Sequence, residues 1–389
     1  MFNRHHTSSV RHRHRGGDPG SPTRIFLARD WIHVHDDEAP SAPLRLAAVS
    51  DSRGALPPAL DRIAPVPEGV VRPTFSVMLP TYEPDHRLGR SLAAVLAQAP
   101  GPEAMQIAVV DDGSRQVDVP ALVRSFDPGG RVEVHLNQRR AGLAGNWNRC
   151  LSLARGRFVH LLHQDDHVLP GFYDRLERGF RTDPGIGMAF CRSRIVDGND
   201  RLIKTASRQQ WTAGVLAGWL PRIAERQRVQ TPAAVVARSV YEQLGGFRTD
   251  LCHALDWEMW VRIAAAAPVW YDPRVLAVYR RHRGNESHRL LTSGAVWPDL
   301  LQAIELNASL LPALDRERVR ERSARWYAGS ALRTVEKQLA RGDLDAAGRT
   351  LNHLPEMLRL LPGGGDRSAP LRRVGRLQDR LRTARRRAA

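Results

Sequence analysis

Ile107-Ala108-Val109-Val110-Asp111-Asp112-Gly113-Ser114 is the stretch whose reading decides the fold. Four apolar residues with no polar alternation read as a strand buried on both faces. Two carboxylates and a glycine then end it abruptly. Two other stretches repeat the pattern. Phe75-Ser76-Val77-Met78-Leu79-Pro80 runs into Thr81-Tyr82-Glu83, and Arg157-Phe158-Val159-His160-Leu161-Leu162 runs into His163-Gln164-Asp165-Asp166. Between them, residues 87–98 put Leu88, Leu92, Val95 and Leu96 on one helical face. Residues 132–136 read as a further strand and 143–154 as a second helix. Strands alternating with helices predict a parallel sheet covered on both faces. Ligands of such sheets bind beyond the carboxyl ends of the strands, where these three polar clusters fall.

Outward from this centre the pattern loosens. A strand is expected at 186–190, then a hairpin through Asp197-Gly198-Asn199-Asp200. Residues 205–230 look irregular. Their Trp211, Trp219 and Arg222 fit either contact with a sugar or lipid, or ordinary packing. A strand at 233–236 and helices at 239–244 and 256–266 follow. From Pro298 the chain reads as purely helical over 298–313, 315–341 and 343–361, with Leu300, Leu301, Ile304, Leu332, Val335 and Leu339 at helical spacing. The expected organisation is a poorly ordered, low-complexity basic leader over 1–72, a catalytic domain over 73–295, a helical region over 296–362 and an arginine-rich tail over 363–389. In the leader, residues 24–27 suggest a short strand. His33, His35, Asp36, Asp37 and Glu38 read as a solvated polar stretch rather than a metal site.

The chain has 389 residues, 42% of them hydrophobic, which is ample for a core, and a formal net charge of +17. Such a chain attracts anions. Much of the excess lies on the tails, with nine arginines after Gly365 against Asp366 and Asp379. Three cysteines, Cys150, Cys191 and Cys252, supply neither a disulfide framework nor a zinc pair, which suits a reducing cytoplasm. No run of about 18 apolar residues suggests a membrane span. Leu371, Val374, Leu377 and Leu381 recur at helical spacing among the arginines. That describes a basic amphipathic helix peripheral to the inner face of an anionic membrane, or else a solvated tail.

Asp165 and Asp166 carry the chemical signal. Adjacent carboxylates at a buried strand end repel each other and are costly to desolvate. A divalent cation such as Mg²⁺ or Mn²⁺ relieves both; a turn or helix cap is the plainer reading. Asp111 and Asp112 could accept hydrogen bonds from a base edge or ribose, or simply form a turn.

Taken together, five stretches resemble glycosyltransferase family 2. They are Pro80-Thr81-Tyr82-Glu83-Pro84, Val109 to Ser114, Asn137 with Gly142 to Asn148, Leu162 to Asp166, and Ala254-Leu255-Asp256-Trp257-Glu258-Met259-Trp260. The resemblance spans about residues 75–287. It implies an α/β, Rossmann-like GT-A fold of the nucleotide-diphospho-sugar transferase kind: a mixed sheet flanked by helices, here with a C-terminal helical extension. The implied activity is metal-dependent, inverting transfer of a sugar from a UDP- or dTDP-sugar to a glycan or lipid-linked acceptor. Carried over residue by residue, Thr81 and Asp112 would hold the base and Asp165 the ribose. Pro80, Tyr82, Glu83, Asp111 and Asn148 would complete the nucleotide site. Asp166 would bind Mn²⁺ or Mg²⁺, His282 of Tyr279-Arg280-Arg281-His282 would lie beside metal and diphosphate, and Asp256 would be the general base. Two departures stand out: His163 replaces an Asp common in relatives, and Leu255 replaces the Glu often found before the base. The Gln-x-x-Arg-Trp motif of processive members does not follow Asp256, so one sugar per encounter is expected. Two other readings remain. A sugar-nucleotide pyrophosphorylase would need a Gly-rich loop where Thr81-Tyr82-Glu83-Pro84 stands. A nucleic-acid-binding protein would need basic residues interleaved with aromatics on a folded module; no specific nucleic-acid partner is expected.

Overall fold

The structure is a computed structural model, and it describes residues 60–361 and 365–388. The strand expected at 24–27 and the polar stretch 33–38 lie outside the described residues.

The chain opens with β1 (Phe75–Thr81), α1 (Arg87–Leu96), β2 (Met105–Asp111), α2 (Val119–Phe126), β3 (Glu133–Leu136), α3 (Gly142–Leu153) and β4 (Phe158–Leu161). Next come β5 (His167–Val168), α4 (Phe172–Thr182), β6 (Met188–Asp197), β7 (Leu202–Thr205), β8 (Gly214–Val215) and α5 (Trp219–Glu225). β9 (Ala234–Ala237), α6 (Arg238–Leu244), α7 (Leu255–Ala266) and β10 (Val269–Arg281) complete the sheet-bearing part. Five helices follow: α8 (Glu286–Ser293), α9 (Val296–Ser309), α10 (Ala313–Ala340), α11 (Leu344–Arg359) and α12 (Gly365–Ala388).

The strands form one sheet in the order β3-β2-β1-β4-β9-β6-β10-β5, with β7 on β6 and β8 on β10. The first four are parallel, as expected. Beyond them the sheet is mixed, because β9 runs antiparallel to both β4 and β6. The uniformly parallel sheet inferred from alternation alone therefore holds only for the first half. The mixed sheet with C-terminal helices is the architecture that the resemblance implied.

Side-chain alternation builds the two covering layers. Phe75, Val77 and Leu79 of β1, with Met105, Ile107 and Val109 of β2, join α1, α2 and α4 in one core. Met78, Ala108 and Val110 point to the other face and join α3, α5, α7 and the C-terminal helices. Both faces of these strands are thus dry, which explains their unbroken apolar runs.

The long C-terminal helices extend the second layer. Trp297 and Ile304 of α9, Leu332 and Val335 of α10, and Leu351 and Leu354 of α11 are all buried in that core. Val374, Leu377 and Leu381 of α12 are buried there too. The amphipathic helix expected in the tail exists, but three of its four large apolar residues pack on the protein and Leu371 stays exposed. Each packed side chain contributes roughly 1.5–3 kcal/mol by leaving water. Among the described residues no helix is long and apolar enough to cross a membrane.

Candidate active site

Because β1 lies between β2 and β4, three polar strand ends meet along one lip of the sheet. Side chains tie them together. The Tyr82 N–H donates to Gln164 Oε1 at 2.9 Å, and Gln164 Nε2 donates back to the Tyr82 carbonyl at 3.3 Å. The Glu83 N–H donates to Ser114 Oγ at 2.7 Å, while the Glu83 carboxylate accepts from the N–H groups of Arg115 and Gln116. Glu83 sits at φ 44, a left-handed conformation unusual outside glycine that these contacts hold in place.

The two carboxylates of β2 support the wall of the site. Asp111 accepts from the Ser114 N–H at 2.8 Å and from its hydroxyl at 2.5 Å. Asp112 accepts from the N–H groups of Ala141 and Gly142 at 2.7 and 2.9 Å, and from Asn137 Nδ2 at 3.2 Å. The α3 N-cap, Ala141, has no capping side chain of its own. Asp112 supplies the cap from across the turn, where the exposed N–H groups and helix dipole favour an anion. Thr81, Asp111 and Asp112 are buried, and so is Pro80 within β1. Of the residues expected at the nucleotide, Tyr82 is the most open, with the Arg140 guanidinium 3.8 Å above its ring.

One expected contact falls elsewhere. Asn148 is buried on α3, with its amide hydrogens donated to Asp61 Oδ2 and the Phe247 carbonyl. Its oxygen accepts from the Phe247 N–H at 2.7 Å. It anchors the 246–247 turn and has no amide hydrogen left for a nucleotide.

The turn after β4 holds the acidic pair. The chain leaves β4, crosses the top of the sheet and pairs with β10 as β5. That route brings Asp166 against β10, where Oδ1 accepts from the Arg280 N–H at 2.8 Å. Asp166 Oδ2 lies 3.3 Å from His163 Nδ1, an ion-pair distance without hydrogen-bond alignment; Asp166 Oδ2 and His163 Nε2 are both sealed from solvent without a hydrogen-bond partner. Burial, with the Asp165 charge, pushes the Asp166 carboxyl up to about 6. His163 stacks on Trp147, ring centroids 5.0 Å apart. Burial alone would lower its pKa, but Asp166, Asp165 and Asp256 together raise it above the ordinary imidazole value. Asp165 is more open: its Oδ2 accepts from His282 Nε2 and from Asn285 Nδ2, each at 2.9 Å. The Gly284 N–H donates to His282 Nδ1, which assigns the ring proton to Nε2. Arg280 reaches the Asp165 carbonyl and the Asp200 carboxylate, fastening the β6–β7 hairpin to the same corner.

Ligand atoms of His163, Asp165 and Asp166 lie within 4.8 Å of one another. With two carboxylates and an unpartnered buried oxygen, the set fits a hard divalent cation.

Asp256 stands at the first turn of α7. Its Oδ2 accepts from Thr231 Oγ1 at 3.2 Å and its Oδ1 from the Trp257 N–H at 2.7 Å. Part of its surface remains open, yet burial pushes its carboxyl up to about 6, with the neighbouring Trp257 N–H, Thr231, His163 and Gln227 acting in the opposite sense. Asp256 and Asp166 thus share His163 as a common neighbour. The turn before Asp256 is fixed from a distance: Asp299 of α9 accepts from the N–H groups of Cys252, His253 and Ala254 at 2.6, 3.0 and 2.6 Å.

The aromatic stretch 205–230 divides. Trp219 is 4% exposed and stacks on Phe190, so it is core. Trp211 is 82% exposed, with Arg208 over its ring. This segment's β8 pairs with the start of β10, at the opposite end from Arg280 and His282. Its far end, at Gln227, comes near Asp256, and Thr231 just beyond it donates to that carboxylate.

Sequence reasoning missed Arg140, Asn285 and Asp299. Asn285 stood three residues beyond His282, a cue that was open to reading. Asp299 gave none, because its partners lie 45 to 47 residues earlier.

A mixed GT-A sheet with an acidic pair at its strand ends defines the class: the chain is a glycosyltransferase. The Glycosyl transferase family 2 model matches residues 76–249. An uncharacterised protein of Mycobacterium tuberculosis is 31% identical over 233 residues, covering 57% of this chain and 72% of that one. Chondroitin synthase of Escherichia coli is 22% identical over half of this chain, which spans only 27% of that enzyme. Among solved structures, residues 1–349 of Staphylococcus aureus TarS in complex with UDP-GlcNAc superpose with a TM-score of 0.58 at 17% identity, covering 80% of this chain and 87% of that one. The chain belongs to glycosyltransferase family 2.

Proposed function

We propose that this enzyme moves a sugar from a nucleotide-diphosphate donor to an acceptor hydroxyl with inversion, in the synthesis of a cell-surface polysaccharide or glycolipid. The observation that carries the reading is the meeting of Asp165, Asp166 and Asp256 around His163 at the ligand-binding lip of the sheet. The nucleotide lies against Tyr82, on a wall held in shape by Pro80, Thr81, Asp111 and Asp112. Asp165 and Asp166 would hold the cation, with His282 and Asn285 orienting Asp165. This differs from what the resemblance implied, in which Asp165 faced the ribose and His282 lay at the metal itself.

A bound Mn²⁺ or Mg²⁺ would offset charge on the departing diphosphate. Asp256 takes the proton from the acceptor hydroxyl as that oxygen attacks the anomeric carbon. Attack opposite the leaving group inverts the configuration. Thr231 and the Trp257 N–H hold the Asp256 carboxylate in position. The pyrophosphorylase and nucleic-acid readings are set aside by family membership.

The test is turnover of a panel of UDP- and dTDP-sugars, beginning with UDP-GlcNAc, before and after chelation. Loss of turnover on chelation and its return with Mn²⁺ or Mg²⁺ is expected. Turnover indifferent to chelation overturns the metal assignment, and inactivity towards every donor overturns the choice of nucleotides.

One observation favours a membrane location at the inner leaflet. Arg372, Arg376, Arg380, Arg386 and Arg387 are exposed along α12. With Val374, Leu377 and Leu381 already packed, contact with anionic lipid would be mainly electrostatic.

A further inference from the structure

Immediately after His282 the chain turns into α8, and α8 packs against α11. Between them lies an open cavity of about 530 Å³, lined by Arg283, His288, Arg289, Thr292, Ser293 and Arg349. Three of these six side chains are arginines and a fourth is a histidine. Glu286 is paired with Arg289, Nε to Oε2 at 2.9 Å. Arg349 donates its Nε to the Thr292 carbonyl at 3.0 Å. Among the described residues, no carboxylate pairs with Arg283 or Arg349.

The approach of the two helices is built in. Gly294 closes α8 at φ +84, and a Cβ there would lie 3.0 Å from the Arg349 Cβ. Trp297 Nε1 donates to Thr350 Oγ1 at 3.2 Å, beside Arg349. The fold therefore holds Arg349, from α11, against the C-terminal end of α8, the helix whose other end follows the His282–Asn285 loop at the acidic pair. Guanidinium groups that line one cavity repel one another, and an anion among them offsets that repulsion. Guanidinium groups also match the geometry of phosphate oxygens.

We propose that this cavity is a phosphate-recognition site that seats a phosphate group of the acceptor. It is separate from the donor diphosphate at Asp165 and Asp166. Its position suits that role, because Arg283 follows His282, and Asn285, at the head of α8, donates to Asp165. An acceptor held there by its phosphate is anchored beside the donor corner. The proposal rests on the transferase reading for the word acceptor, but phosphate binding itself does not.

The test is hydrogen exchange of the full chain in EDTA, without nucleotide-sugar, with millimolar inorganic phosphate against chloride of equal ionic strength. Slower exchange over 286–293 and 344–359 is expected. In Arg283→Gln/Arg349→Gln, the phosphate needed for that protection should rise by about tenfold or more. Both side chains are exposed, so an unchanged melting temperature should confirm that the variant folds. Protection confined to 111–114 and 163–166, or none beyond chloride, overturns the site. Two further probes identify the source of the phosphate. Glycerol phosphate reproducing the protection assigns a soluble phosphorylated glycan. Phosphatidic acid vesicles reproducing it where glycerol phosphate does not assign a lipid-borne group. Failure of both removes the acceptor role. Since neither metal nor donor is present, a negative result here leaves the transfer reading standing, and inactive donors would leave this site standing.

Discussion

At the scale of single residues, Asp256 bears the proposed chemistry. Replacing it with Asn keeps the shape and one acceptor oxygen but removes the base. Transfer should fall by roughly 10² to 10⁴, while donor binding followed by thermal shift stays intact. Wild-type rate in the variant would move the base elsewhere. Burial sets the expected pH profile. A raised pKa keeps Asp256 protonated, and idle as a base, up to about 6. At saturating metal kcat should therefore climb as pH passes through about 6 and then level off, whereas a flat profile from pH 5 to 8 would detach the rate from this group. The acidic pair, the Asp111-Asp112-Gly113-Ser114 turn and Asp256 were legible because buried strands and an apolar helix end on polar clusters. What His163 does was not. It was visible only as a departure from Asp, and its stacking on Trp147 and its electrostatic influence on both Asp166 and Asp256 are long-range facts. Asn148 failed for the converse reason: its motif matched in order, but its amide faces the 246–247 turn.

At the scale of elements, two helices start without a capping side chain of their own and borrow one. Asp112 caps α3 from the end of β2, and Asp299 caps the turn into α7 from α9. Local sequence could not announce either bond. Asp299→Ala would leave three N–H groups without their acceptor, at about 1–3 kcal/mol for each that stays buried. A fall in melting temperature is expected, with kcat dropping because the Asp256 turn loosens; Asp299→Asn should lose less of both. Full activity and stability in the alanine variant would show the cap to be dispensable. Pattern reading located β1 to β4 within a residue or two, since continuous apolar runs mark doubly covered strands. It missed β5, which at two residues has no pattern to read. It also missed α4, whose buried Phe172, Tyr173, Leu176 and Phe180 are interleaved with charges.

At the scale of the whole molecule, the charge asymmetry has a folded address. Exposed arginines alternate along α12 with the buried Val374, Leu377 and Leu381, and Arg373 and Arg385 are tied to Glu336 and Asp345. Substituting Arg372, Arg376 and Arg380 together with Gln should weaken binding to vesicles rich in anionic lipid, at about 1 kcal/mol for each charge, and leave the melting temperature unchanged. Leu377→Ala should do the opposite, lowering stability by about 2–5 kcal/mol with little change in vesicle binding. Equal binding by the arginine variant would assign the face to another anion or to none.

The bond from Asp299 to residues 252–254 also bears on how the protein can be cut and rejoined. A chimera spliced just after the last strand would take the Asp256 segment without the carboxylate that clamps it. Grafting this catalytic module onto a foreign scaffold therefore requires a junction beyond α9, or a replacement acid in the recipient at the same spot.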